Sequence, residues 1–146
     1  MTRMKTIVAI LEDNDERTEA MRECLSRLVD PRDIQFFKSA PQMADWLREH
    51  LDRVRVISLD HDLDPVPGPD GKAIEAGDGR DVANYLATQR PACPVIIHTS
   101  NSDGASSMRF ALEDAGWTVI RVLPLDGMAW ISTRWWDSVV AILGMT

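Results

Sequence analysis

Apolar residues in this chain alternate between short unbroken runs and longer stretches where they recur every three or four positions. The runs read as buried strands and the periodic stretches as amphipathic helices. TIVAIL, residues 6–11, is the first run and stops at Glu12, Asp13, Asn14 and Asp15. A helix over Glu16–Leu28 follows, with Ala20, Met21, Cys24, Leu25 and Leu28 inward and Asp15 placed to cap it. Asp30 and Pro31 end it. IQFF, 34–37, is a second strand. A helix opening at Ser39 or Ala40 tolerates Pro41 in its first turn and turns Met43, Ala44, Leu47 and Leu51 inward. VRVISL, 54–59, is a β-branched run suited to a pleated surface, and it drives straight into Asp60, His61, Asp62 and Asp64. Three prolines and four glycines within 62–79 exclude a regular element through most of that stretch. A connection so long, directly after Asp60, predicts a lid or a site wall. Helical spacing returns over 80–89 with Val82, Tyr85 and Leu86. PVIIHTSN, 94–101, is a strand that turns polar at its carboxyl end. A helix over 103–115 turns Met108, Ala111, Leu112 and Ala115 inward, and WTVIRVLP, 117–124, is the last strand. A loop through Asp126 and Gly127 leads to a helix over 132–143 whose apolar face is Trp136, Val139, Val140 and Leu143.

Five strands and five helices in regular alternation predict a single α/β domain over residues 1–146. A parallel five-stranded sheet carries helices on both faces, in three layers, with a long insertion after the third strand. A chain of this length buries about 68% of the surface its unfolded form exposes. LEDND follows the first strand where a dinucleotide fold has GxGxxG, and no GxxxxGK occurs, so Rossmann and P-loop readings are disfavoured. The net charge of -7 argues against a broad grip on a nucleic-acid backbone, yet leaves room for a small phosphorylated substrate held through a metal. Cys24 and Cys93 have no CxxC spacing and read as buried free thiols, suited to a reducing compartment. Residues 1–11 are too short in their apolar run for a signal peptide, and no stretch approaches membrane-spanning length. A soluble cytoplasmic protein without membrane contact is the expectation.

In an open α/β sheet, strand ends feed a crevice at the carboxyl edge. Glu12 and Asp13 end the first strand and Asp60 the third, so all three carboxylates meet there and repel unless a cation neutralises them. All-oxygen ligation points to Mg²⁺ or Mn²⁺, with Asp62 supplying a further ligand through its carbonyl. Each acid taken singly could instead cap a following helix. Thr99, Ser100 and Asn101 end the fourth strand, where they can bond a phosphoryl oxygen or cap the next helix. His98 lies in a Val and Ile run at a strand end, and His61 sits beside the central acid. Either is a candidate general acid or base, and His98 is equally a satisfied core histidine. Arg121 reaches an anion only if its strand end twists inward; otherwise it is solvated or paired with an acid. Trp136 fits the helical stripe, whereas Trp130 and Trp135 fall off it, are expected exposed, and would mark a homodimer or partner surface.

The succession VAILEDND, VISLD, VIIHTS and a fifth strand ending near Pro124 resembles the receiver domain of two-component response regulators over nearly the whole chain. That resemblance implies the CheY-like, flavodoxin-like topology. It makes Glu12 and Asp13 the metal pair, Asp60 the phosphoacceptor, Thr99 the hydroxyl after the fourth strand, and Gly79 the glycine opening the third helix. Leu123 stands where a receiver carries the lysine that contacts the phosphoryl group. LDHDL, GRDVANYL and IHTSN, with Gly104 and Met108, resemble the divergent cyclic-phosphate-processing receivers, whose distinguishing residues here would be His61, Asp62, His98 and Asn101. Three functions stay open. One is a metal-dependent phosphoesterase acting on a phosphorylated small molecule or an RNA end. The second is a phosphoacceptor served by a histidine kinase or small phosphodonor. The third is a catalytically silent interaction module.

Overall fold

In the computed structural model, which describes residues 4–125 and 127–144, five parallel strands form one sheet. In chain order the elements are β1 (Ile7–Leu11), α1 (Asp15–Leu25), β2 (Ile34–Phe37), α2 (Ala40–His50), β3 (Val54–Leu59), β4 (Val66–Pro67), β5 (Ala73–Ile74), α3 (Gly79–Leu86), β6 (Val95–Ile97), α4 (Ser102–Asp114), β7 (Val119–Arg121) and α5 (Trp136–Leu143). The main sheet runs β2-β1-β3-β6-β7. The chain winds outward in both directions from β1 and β3, so the topological switch point lies between their carboxyl ends. Asp126, assigned by the sequence to the loop before the last helix, lies outside the described residues.

Side-chain alternation splits the sheet into two apolar faces. Ala9, Leu11, Ile57, Leu59, Val95 and Ile97 pack under α2, α3 and α4, and Val8, Ile10, Val56 and Ile96 pack under α1 and α5. Burial on both faces explains why the strands read as continuous apolar runs instead of alternating ones. Between β3 and α3 the chain makes a small antiparallel hairpin, with Val66 opposite Ile74 and Pro67 opposite Ala73. This is the one regular element in the stretch expected to be irregular; its prolines and glycines keep it to two residues a side.

Three local expectations change. Asn14, not Asp15, caps α1: its side chain accepts from the Arg17 amide at 2.9 Å. That helix stops at Leu25, so Leu28 leaves the inner stripe and stands 60% exposed. The largest change is at the carboxyl terminus, where a π-helical turn over Ile131–Trp135 precedes α5. Five-residue spacing turns Trp130 and Trp135 onto one face, and both are buried in the core, not exposed. The inner stripe then runs Ile131, Trp135, Val139 and Ile142, leaving Val140 39% exposed. The aromatic surface expected to serve a homodimer is therefore interior.

Candidate metal and phosphate site

The ladder between strands continues one residue past their ends. Glu12 N donates to Phe37 O at 2.9 Å, Asp60 N to Leu11 O at 3.0 Å, and His98 N to Leu59 O at 2.9 Å. Parallel register thereby sets Glu12, Asp60 and His98 on one level, side by side, at the switch point. All three are buried, and one donor atom from each lies within 4.8 Å of the others.

A directed hydrogen-bond chain holds this cluster from below. The Trp135 indole Nε1–H donates to Ser58 Oγ at 2.9 Å, and Ser58 Oγ lies 2.6 Å from His98 Nδ1. An indole can only donate, so Ser58 accepts there, and its second lone pair and its own proton leave it able to accept from or donate to Nδ1. The Glu12 carboxylate can only accept, so His98 carries a proton on Nε2 and donates it to Glu12 Oε1 at 3.2 Å. Glu12 Oε2 accepts from the Asn14 amide at 3.0 Å. Trp130 stacks on the imidazole with centroids 5.8 Å apart, and the Arg17 guanidinium lies over that indole and 3.8 Å from Glu12.

The two buried carboxyls are driven apart in acidity. Burial raises Glu12, but the hydrogen bonds from His98 and Asn14 outweigh it and hold the group below the usual carboxylate value. Burial, reinforced by the neighbouring Glu12 charge and only partly opposed by His98, pushes Asp60 up to about 6.

The other predicted residues surround this cluster, and the Asp13 charge is near enough to help raise Asp60. Asp13 Oδ2 accepts from the Asp64 amide at 2.6 Å, and burial raises its pKa. Asp62 takes the Asn101 side-chain amide at 3.2 Å and the His61 ring, Nδ1 to Oδ1, at 2.9 Å, a bond that lowers its pKa. Asn101 also caps α4, accepting from Gly104 N at 2.8 Å. Buried Thr99 accepts from the Asn101 amide at 3.2 Å, while Ser100 is exposed. Among the described residues Arg121 pairs with no acid: its Nη2 donates to the Thr99 carbonyl at 2.6 Å, and burial lowers its pKa. His61 thus belongs to a second, outer cluster with Asp62, Asn101 and Asp78.

Two glycines admit this arrangement. A Cβ on Gly79 would collide with the Asp60 carbonyl oxygen, and one on Gly104 would meet the His61 ring at 2.5 Å. Sequence reasoning missed Ser58, Trp135 and Arg17. A hydroxyl inside the buried run VRVISL was the available signal, since it requires a partner.

Strand order and the acidic switch point define a receiver domain with a buried Glu, Asp and His cluster able to hold a metal. Solved structures similar to the chain show the same fold. They include a phosphorylated cyanobacterial phytochrome response regulator, RcpA, at 15% identity and TM-score 0.72, covering 97% of this chain and 96% of that one. A signal receiver domain from Vibrio parahaemolyticus matches at 17% and 0.65, covering 96% and 91%. The BeF3-activated DrrB receiver domain matches at 21% and 0.61, covering 96% and 98%. No curated protein matches the chain. The family profile described as "Cyclic-phosphate processing Receiver domain" matches residues 8–114, and the chain belongs to that family. No helix among the described residues is long and apolar enough to cross a membrane.

Proposed function

We propose that this protein is a metal-dependent phosphoesterase that opens cyclic phosphates, on a phosphorylated small molecule or at an RNA end. The observation that carries the reading is the pairing of a buried Glu12–Asp60–His98 cluster with an adjacent His61 that keeps one ring nitrogen free. The donor set fits a divalent cation: two buried carboxylates in mutual repulsion, with an imidazole in reach. Glu12, Asp60 and His98 would hold it, His98 doing so once Nε2 gives up its proton and Nδ1 donates to Ser58. Bound there, it would supply charge stabilisation for phosphoryl oxygen and acidify water. An imidazole among the donors favours Mn²⁺ over Mg²⁺.

Ring-opening needs a proton taken from water and returned to the departing ribose-type oxygen as its P–O bond breaks. His98 Nδ1 faces Ser58 and its Nε2 serves Glu12 or, when a cation is bound, would serve that cation, so neither nitrogen is left to move a substrate proton. His61 Nδ1 donates to Asp62, and its Nε2 stands 3.9 Å from Asp78 Oδ2, too far for a hydrogen bond. That lone pair makes His61 the base and, once protonated, the acid. Thr99, Ser100 and Asn101 border the phosphoryl position, and a cytoplasmic location goes with the reading. Purified protein with Mn²⁺ should convert 2′,3′-cyclic CMP to the monophosphate, and His61→Ala should lose about 100-fold in kcat. No turnover above a sample carrying Asp60→Ala would remove the activity.

A second reading, phosphoacceptor signalling through a histidine kinase or small donor, is favoured by Asp60 alone at the end of β3. Leu123, 37% exposed, leaves it without the expected cation. Treatment with acetyl phosphate should then add one phosphoryl group to the intact mass, and an unchanged mass eliminates it. Saturable Mn²⁺ binding by calorimetry would eliminate the silent interaction module.

A further inference from the structure

Leu123 brings no charge to the strand-end site, so a cation that meets a phosphoryl oxygen there must come from another position. The cations around the acids differ in how far they are committed. Lys38 Nζ donates to Asp15 at 2.6 Å, and Arg121 gives Nη2 to the Thr99 carbonyl. Arg17 is different. Its guanidinium makes no hydrogen bond among the described residues. It comes no nearer than 3.8 Å to Glu12 Oε1, too far for one, and that oxygen already takes the His98 Nε2–H. Its side chain is 30% exposed, so a solute can reach it.

Local structure fixes Arg17 against the cluster. Asn14 accepts from Arg17 N at 2.9 Å as the cap of α1 and gives its own amide to Glu12 Oε2 at 3.0 Å. One residue thereby ties the start of the helix to the carboxylate. The guanidinium carbon also lies 5.5 Å from the centre of the Trp130 ring, which stacks on His98. A cation–π contact engages the charge and leaves the N–H donors free. The burial of Trp130 ahead of the π-helical turn thus gives Arg17 its seat.

We propose that Arg17 is the phosphoryl-oxygen ligand of this site, holding the non-bridging oxygens of the substrate with its free N–H fork and stabilising the charge that builds on them as the ring opens. The inference rests on the cyclic-phosphate reading and adds to it a binding residue from α1. A planar fork matches two phosphate oxygens, and a guanidinium stays charged throughout, so Arg17 moves no proton. That task stays with His61. A divalent cation on Glu12 would repel the guanidinium, and a phosphate anion in contact with both would relieve that repulsion.

The test is calorimetry with Mn²⁺-loaded protein and methyl phosphate, a monoester with no base to hold. Wild type should bind it. Arg17→Met should weaken that binding about 30-fold, and Arg17→Lys, which keeps a charge without the fork, about fivefold. Mn²⁺ affinity separates a ligand from a buttress. Loss of a repelling charge should leave Arg17→Met binding Mn²⁺ as tightly as wild type or up to about threefold tighter. A guanidinium that only propped Glu12 would lose Mn²⁺ and phosphate affinity together. With 2′,3′-cyclic CMP, Arg17→Met should lose about 100-fold in kcat, with Arg17→Lys in between. No methyl phosphate binding by wild type, binding within about threefold of wild type in both variants, or Mn²⁺ affinity falling in step with phosphate affinity overturns the assignment. Absent turnover by wild type, with methyl phosphate binding still dependent on Arg17, overturns the hydrolase reading alone and leaves Arg17 as the anion ligand.

Discussion

The site contains two histidine–acid pairs a few residues apart that behave differently. His98 and Glu12 are wholly buried, each end of the imidazole is engaged, and the ring is held by Ser58, Trp135 and Trp130. His61 and Asp62 stand at the rim, with Asp62 mostly exposed and His61 Nε2 uncommitted. The same two residue types thus give a fully bonded pair in one place and, in the other, a pair whose ring nitrogen Nε2 has no hydrogen bond among the described residues, the group that the proposed hydrolysis uses to carry its proton. Burial makes the difference, because a desolvated pair must satisfy every polar atom internally, and satisfaction removes freedom.

The strongest way to break the comparison is to remove an acid from each cluster and measure Mn²⁺ by calorimetry. Glu12→Ala and Asp60→Ala should weaken binding by about 100-fold or more, and Asp62→Ala by no more than about threefold. Equal losses would erase the distinction between inner and outer acids.

Next comes pH. The folded Asp60 carboxyl, near 6, sits above its ordinary 3.8, so the native state binds the proton more tightly than the unfolded chain. Its contribution to metal-free stability is full below about 4 and is lost as pH rises through 6, up to about 3 kcal/mol in all. Urea unfolding of wild type should show that decline, Asp60→Asn should abolish it, and saturating Mn²⁺ should oppose it. A flat profile in the metal-free wild type would contradict the burial argument.

A smaller effect is expected below the inner pair. Ser58→Ala leaves His98 Nδ1 and the Trp135 N–H without partners and should cost about 1–3 kcal/mol by urea denaturation. The imidazole ¹⁵N shifts should keep the Nε2–H signature that Glu12 sets; its loss would show that Ser58 sets the tautomer instead. The smallest effect belongs to the outer pair, where Asn101→Asp, placing a second carboxylate against Asp62, should alter stability by less than about 1 kcal/mol.

Much of the architecture was legible in the chain. Runs such as TIVAIL and VRVISL, each ending in acids, specify buried parallel strands whose polar ends share an edge, because branched side chains fill both faces and carboxylates cannot follow them inward. Glu12, Asp60 and the two histidines stood out for that reason. The carboxyl-terminal helix was misread, since a 3.6-residue period seeded on Trp136 and Val140 has no room for a π-helical turn.

Sequence alone determined the order of elements, the family and the edge on which the chemistry gathers, because those follow from local periodicity and residue type. Tertiary structure decided which acids meet, that Asp13 turns to Asp64 while His98 joins Glu12, and that Trp135 reaches Ser58 across the core. Those contacts join residues 51 to 86 positions apart. Strand register and helix phase bring such residues together, and neither is written in the neighbours of any one residue.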